Sequence, residues 1–155
     1  LYSMVRLFKP QRILEVGSGY STLMSLNAIA ANKTETAADN CELNCIEPYE
    51  IPWLETLAVK LNRIPVEKLE PAYFQQLNEN DILFIDSSHM IRPQGDVLFE
   101  FLQVLPLLKK GVIIHVHDIF TPKDYPMNGY CNHIECGMNN ICWKLFLLIM
   151  TISRS

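Results

Sequence analysis

Apolar and polar positions follow two different periods along the first 118 residues of the chain. Runs rich in β-branched and apolar residues predict five strands, at residues 12–16, 43–46, 64–66, 82–85 and 112–117. Apolar residues spaced three or four apart predict five helices, at residues 2–8, 21–31, 53–61, 71–77 and 97–108. Strands that alternate with helices are typical of a parallel sheet covered on both faces. We therefore predict an α/β fold, Rossmann-like and doubly wound, with a mostly parallel sheet in a three-layer α/β/α arrangement.

The apolar run at residues 82–85 indicates where the centre of the sheet lies. An uninterrupted apolar strand is buried on both faces, as a central parallel strand is. Polar residues 86–89 follow this run at once, and residues 117–118 follow the fifth strand. Ligands bind beyond the carboxyl ends of the strands in open sheets of this kind. We therefore expect the functional residues at these strand ends.

Composition and charge narrow the class of protein. With 155 residues, 49% of them hydrophobic and 19% charged, the chain matches one ordinary globular domain. Its net charge of −4 provides no basic field, so we expect no nucleic-acid partner. The longest apolar run, residues 145–152, is too short to span a bilayer, so we expect no membrane partner. Five cysteines without a secretory signal predict free thiols and a cytoplasmic location, and the pattern does not indicate an oligomeric state.

A glycine-containing turn links the first strand to the helix that follows it. Gly17 and Gly19 allow a tight turn and a close approach of a ligand to the backbone. Thr22 occupies the place of the third glycine in the dinucleotide fingerprint, which counts against a nicotinamide cofactor. Glu15, two residues before Gly17, offers a carboxylate for the cationic group of an amino acid. A tight turn without any ligand is the simpler alternative.

Glu47 ends the second strand, beside this turn in the predicted sheet. A carboxylate at this place can accept hydrogen bonds from both hydroxyls of a ribose. A solvated strand end is the alternative for Glu47 taken alone. The neighbouring glycine turn favours the ribose.

Four segments resemble bacterial class I S-adenosylmethionine-dependent methyltransferases. They are residues 13–19 (Ile-Leu-Glu-Val-Gly-Ser-Gly), 46–48 (Ile-Glu-Pro), 84–89 (Phe-Ile-Asp-Ser-Ser-His) and 117–120 (His-Asp-Ile-Phe). Over about residues 2–126 the chain is most similar to the branch with Asp-x-x-His after the fourth strand. The resemblance implies S-adenosylmethionine as the cofactor, with Glu15 at its methionine end and Glu47 on its ribose. The cofactor-binding residues that it implies are Glu15, Gly17, Ser18, Gly19, Tyr20, Ser21, Glu47 and Asp86.

The ends of the fourth and fifth strands carry the candidate catalytic residues, His89, His117 and Asp118. In one interpretation Asp86, His117 and Asp118 hold a divalent cation such as Mg²⁺, which orients and acidifies a substrate hydroxyl. Related catechol-type methyltransferases use carboxylates at similar strand ends. In a second interpretation His89 or His117, or an aspartate, removes the hydroxyl proton without a metal. In a third these residues are structural, with His115 in the core and Asp86 as a helix cap, and the sequence leaves all three open.

The resemblance implies methylation of a hydroxyl on a small molecule or a sugar. Methyl transfer depends mainly on alignment of the acceptor with the methyl carbon and the sulfur, so these motifs do not identify the acceptor. Two alternatives remain. One is a cofactor-binding fragment without catalytic activity, and the other is a nucleotide-cofactor oxidoreductase on a Rossmann-type sheet.

The chain changes character after about residue 127. Residues 1–126 are expected to form the S-adenosylmethionine-binding domain, and residues 127–155 an atypical tail. The codons for residues 136–144, read in a shifted frame, permit Trp-Asn-Glu-Gln-Tyr-Leu-Leu, which the resemblance implies after the fifth strand. Our hypothesis is that the tail is a frameshifted readout, that the chain is a fragment, and that the last strands of the sheet are incomplete.

Overall fold

The centre of the structure is a sheet of five parallel strands. The computed structural model describes residues 1–37 and 40–118. The strands are β1 (Arg12–Val16), β2 (Glu42–Ile46), β3 (Lys60–Asn62), β4 (Ile82–Ile85) and β5 (Ile113–Val116). They lie in the order β3-β2-β1-β4-β5, so the direction of winding reverses between β1 and β4. This order confirms the predicted doubly wound sheet and creates a crevice at the carboxyl ends of β1 and β4.

Helices connect the strands and cover the sheet. The α-helices are α1 (Tyr2–Phe8), α2 (Tyr20–Glu35) and α3 (Asp96–Phe99). Helix α3 continues as a π-helix, Glu100–Val104, and then as a 3₁₀-helix, Leu105–Leu107. Further 3₁₀-helices lie at Leu54–Thr56, Val66–Lys68 and Pro71–Gln76. Within the described ranges, no helix is long and apolar enough to cross a membrane.

Two hydrophobic cores lie on opposite faces of the sheet. Ile13 packs in the cluster that contains Val5 and Ala28, from α1 and α2. Leu14, the next residue, packs in the cluster that contains Phe101 and Val104, from the helix that follows β4. Successive side chains of a strand point to opposite faces, so a strand covered on both faces is apolar throughout. The two cores confirm the predicted α/β/α layers.

The part of the chain at residues 53–66, after β2, differs from the prediction. A helix was predicted over residues 53–61, but only Leu54–Thr56 is helical and β3 occupies Lys60–Asn62. The strand predicted at residues 64–66 is absent from its place, because Val66 begins a 3₁₀-helix. Val59 and Leu61 point toward the core, which is the two-residue period of a strand. Apolar residues at helical spacing concealed that period.

Helix α1 and strands β1 and β4 have the predicted ends, and the remaining predicted elements are present with shifted ends. Helix α2 extends to Glu35 rather than to residue 31, and the helix predicted at residues 97–108 is α-helical only at its start. Three predictions lie outside the described residues. They are the domain boundary at residues 126–127, the atypical tail and the incomplete strands after β5.

Candidate functional site

The glycine turn lies at the carboxyl end of β1, in the crevice of the sheet. Gly17 has a φ of +78°, and a Cβ at Gly17 would lie 2.0 Å from the backbone oxygen of Asp86. Gly17 is therefore required by the close approach of β1 to the end of β4, apart from any ligand. A Cβ at Gly19 would meet no atom within 4 Å. Gly19 thus borders open space, where a ligand can approach the backbone.

Glu47 connects the end of β2 to this turn. Its Oε2 accepts the Ser18 backbone N–H at 3.0 Å, and its Oε1 accepts the Tyr49 backbone N–H at 2.8 Å. An ionised carboxylate has about four acceptor positions, so each oxygen keeps one for a ligand. Glu47 is therefore both fixed in place and able to accept two hydroxyls.

Two cavities lie along the carboxyl ends of the strands, with volumes of about 350 and 450 Å³. The first cavity is lined by Ile46, Pro48, Tyr49, Pro65, Val66, Glu67, Ser87, Ser88, Arg92 and Asp96, among others. The second cavity is lined by Ser18, Gly19, Tyr20, Ser21, Met24, Phe84, His115 and His117, among others. Gly17, Glu47 and Asp86 line both. The two cavities therefore form one cleft that passes over the ends of β1, β2 and β4.

Most of the predicted cofactor-binding residues line this cleft, but Glu15 does not. Its side chain is fully buried under the turn, where it accepts hydrogen bonds from Ser21 Oγ and, at 3.6 Å, from Cys45 Sγ. Burial raises the pKa of Glu15 to about 6. Glu15 thus supports Ser21, which lines the second cavity, and its contact with the methionine end of the cofactor stays a prediction.

The predicted catalytic residues come together at the ends of β4 and β5. His89 Nε2 lies 3.2 Å from Asp86 Oδ1, and His117 Nδ1 lies 3.4 Å from the same oxygen. His117 Nδ1 also lies 3.2 Å from Asp118 Oδ1. Of the three predicted catalytic residues, His117 is the one that lines these two cavities. The arrangement is thus a pair of histidines around one carboxylate, with His117 on the side of the cleft.

The backbone and the charges of this cluster are unusual. His89 and Asp118 have φ values of 60° and 53°, in the left-handed region. Such conformations cost about 1–3 kcal/mol each and concentrate at functional sites. The carboxylate of Asp86 raises the pKa of His89, whereas burial lowers the pKa of His115 on β5.

The cluster does not support the predicted divalent cation. Oxygens of Asp86 and Asp118 face the imidazole nitrogen of His117, at the distances of ion pairs. In the part of the chain that the structure describes, no group of three or more His, Cys, Asp or Glu side chains is arranged to hold a metal ion. The interpretation of Asp86, His117 and Asp118 as ligands of Mg²⁺ is therefore not supported.

Two acidic residues beside the cleft were not predicted as site residues. Asp96 lines the first cavity and accepts hydrogen bonds from Ser88, and Glu100 accepts one from Ser87. Both carboxylates are buried. In the sequence they look like ordinary acidic residues at the start of the helix after β4. Only their burial in the structure marks them as different from exposed helix residues.

The sequence profile of the methyltransferase domain family matches residues 14–119, which is more than half of the chain. This range includes all five strand ends and the cleft above them. Comparisons with curated proteins and with solved structures each found no match. With the strand order, the glycine turn and the family match in agreement, the chain belongs to the methyltransferase domain family and is a class I methyltransferase.

Proposed function

We propose that this chain uses S-adenosylmethionine and methylates a hydroxyl of a small molecule or a sugar. The observation that carries the proposal is the position of Gly17, Glu47 and Asp86. They follow three neighbouring strands, and all three line both parts of the cleft. A nucleoside with an attached amino acid is long enough to need both parts.

The residues present fit that cofactor. The glycine turn exposes backbone beside open space, and Glu47 offers two acceptor positions for the ribose hydroxyls. Glu47 divides the cleft, so the adenine belongs in the first cavity and the methionine end in the second. S-adenosylmethionine, when bound, supplies a methyl group activated by its sulfonium sulfur.

With the methionine end in the second cavity, the acceptor belongs beside His117, which lines that cavity. The Nδ1 of His117 faces the carboxylates of Asp86 and Asp118. A proton on Nδ1 is held by such carboxylates, which leaves Nε2 as the basic nitrogen. We infer that His117 takes the proton of the acceptor hydroxyl at Nε2. His89, beside the same Asp86 oxygen, helps to hold that carboxylate in place.

A transfer assay tests this proposal. The chain would be incubated with S-adenosylmethionine carrying a tritiated methyl group and a panel of phenols, catechols and sugars. His117→Gln is expected to lower the transfer rate about 100-fold, because a general base contributes at least that much. Its affinity for S-adenosylhomocysteine should stay within about twofold, since His117 acts on the acceptor.

His115→Gln is the matched control, because His115 lines the same cavity from β5. It should retain most of the transfer activity. Equal losses in the two variants would contradict the role of His117. Transfer to amines or thiols in place of hydroxyls would contradict the proposed acceptor.

A further inference from the structure

Two carboxylates on the helix after β4 hold one wall of the first cavity. Asp96 Oδ2 accepts the Ser88 backbone N–H at 2.8 Å, and Asp96 Oδ1 accepts the Ser88 hydroxyl at 2.7 Å. One helical turn later, Glu100 Oε2 accepts the Ser87 hydroxyl at 2.9 Å. Ser87 and Ser88 both line the first cavity. The two carboxylates therefore determine where this wall lies.

The burial of these carboxylates needs an explanation. Asp96 is 8% exposed and Glu100 is 1% exposed. A buried carboxyl group is costly unless hydrogen bonds replace its water. Glu100 Oε1 has no hydrogen-bond partner among the described residues. Burial raises the pKa of Glu100 well above its usual value, and Asp96 and Glu67 raise it further. An apolar side chain could be buried at position 100 at a lower cost. We therefore attribute the carboxyl group of Glu100 to its hydrogen bond with Ser87.

The segment that they hold is strained. His89 has a φ of 60° and Gln94 a φ of 56°. Strained residues of this kind persist only where the surrounding structure fixes them. Ser88 directly precedes His89, and Asp96 bonds both its backbone and its side chain. Asp96 thus fixes the chain where it enters the strained segment.

We propose that Asp96 and Glu100 are positioning residues of the cofactor site, which fix Ser87 and Ser88 as the wall against which the adenosine part of S-adenosylmethionine binds. The inference rests on the proposed function, since it assigns a ligand to the first cavity. It adds Glu100, which acts through Ser87, and Asp96, which lines the cavity and also holds Ser88.

Isothermal titration with S-adenosylhomocysteine tests this inference. Asp96→Ala is expected to weaken binding about tenfold, because two hydrogen bonds to a charged group are lost. Glu100→Ala should weaken binding severalfold, whereas Glu100→Gln should stay within about twofold of the wild type. The neutral amide offers an oxygen to the Ser87 hydroxyl, as the carboxyl group does. Rescue by Gln separates positioning from a need for charge.

Asp81→Ala is the matched control. Asp81 is also buried and accepts three backbone N–H bonds, from Gln11, Arg12 and Asn78. It lies before β4, at the end of the sheet away from the cleft. Asp81→Ala should lower the midpoint of urea unfolding and leave the affinity unchanged.

The outcomes are distinguishable. A folded wild-type chain that does not bind S-adenosylhomocysteine would overturn the proposed function together with this inference. A wild-type chain that binds, with Asp96→Ala and Asp81→Ala equally unaffected in affinity, would overturn the inference alone. If Asp96→Ala does not fold, Ser88→Ala removes only the hydroxyl bond, and a severalfold loss of affinity is expected. Unchanged affinity in Ser88→Ala would then contradict the inference.

Discussion

The carboxylate of Glu47 accepts the backbone N–H of Ser18, with 3.0 Å between Oε2 and the nitrogen. This bond joins the end of β2 to the turn after β1, although 29 residues separate the two along the chain. The glycine turn and the acidic residue are therefore parts of one preformed site. A site fixed before binding loses less conformational entropy when the ligand arrives.

The two glycines of the turn should respond differently to substitution. Gly17→Ala places a methyl group against the backbone of Asp86 at a φ of +78°, so it should lower the free energy of unfolding by about 3 kcal/mol. Gly19→Ala meets no atom within 4 Å and should leave that free energy nearly unchanged. It should weaken the binding of S-adenosylhomocysteine, because its methyl group enters the cleft.

Urea unfolding and isothermal titration measure the two effects separately. The glycine account is wrong if Gly17→Ala is as stable as the wild type, or if Gly19→Ala binds as tightly.

The buried Glu15 predicts a pH dependence of stability. Its pKa is raised from 4.5 to about 6, so the folded chain holds this proton more tightly than the unfolded chain. The resulting stabilisation is full below pH 4.5 and is lost as the pH rises through 6. As the pH rises from 5 to 7.5, the free energy of unfolding of Glu15→Gln should therefore increase by about 1 kcal/mol relative to that of the wild type.

Urea unfolding at both pH values checks this gain, with the exposed Glu50 changed to Gln as the control. This control accounts for the loss of one carboxylate at an exposed position. A difference between Glu15→Gln and wild type that is the same at both pH values would show that Glu15 is not titrating in this range.

The pKa values of two histidines near the cleft should be shifted in opposite directions. The Asp86 carboxylate beside Nε2 raises the pKa of His89, and burial lowers the pKa of His115. Nuclear magnetic resonance titration of the ring protons should place His89 above and His115 below the ordinary value of 6.5. Asp86→Asn should lower the His89 value, because it removes the charge. Two histidines that titrate together would contradict the geometry of the cluster.

The stacked pair Tyr20 and Trp53 offers an optical signal. The rings lie 6.1 Å apart between centroids and 23° from parallel, and they join the start of α2 to the segment after β2. Tyr20 lines the second cavity. In a background with Trp143→Phe, binding of S-adenosylhomocysteine should change the fluorescence of Trp53. Tyr20→Ala should reduce that change, and an identical change in both chains would show that the stack does not report on the cleft.

The sheet could be predicted from the sequence where the pattern is local. β4 is apolar throughout and β1 ends in a glycine turn, so both were found with their ends. β3 was not predicted at its place, because only two apolar side chains mark it. They are Leu61 within the strand and Val59 just before it, and both pack against the core. Three residues are too short a strand for their period to exceed the competing helical spacing.

The sequence predicts the residues of the candidate site that directly follow strands, but not those that lie elsewhere. Glu15 pairs in register with Cys45 and Phe84, on the face of β1 that α2 covers. The two-residue period of β1 would have placed it there. Asp96 and Glu100 could not be found, because their role depends on burial, and a carboxylate at a helix start has the same sequence pattern when exposed.

Isothermal titration of the wild-type chain and of Glu47→Ala with S-adenosylhomocysteine tests the central claim most directly. The control is Glu42→Ala, which changes a glutamate at the opposite end of the same strand. The account predicts saturable binding by wild type and by Glu42→Ala, and a loss of at least about tenfold in Glu47→Ala. A folded chain that shows no saturable binding, or that binds equally well without the Glu47 carboxylate, would contradict it.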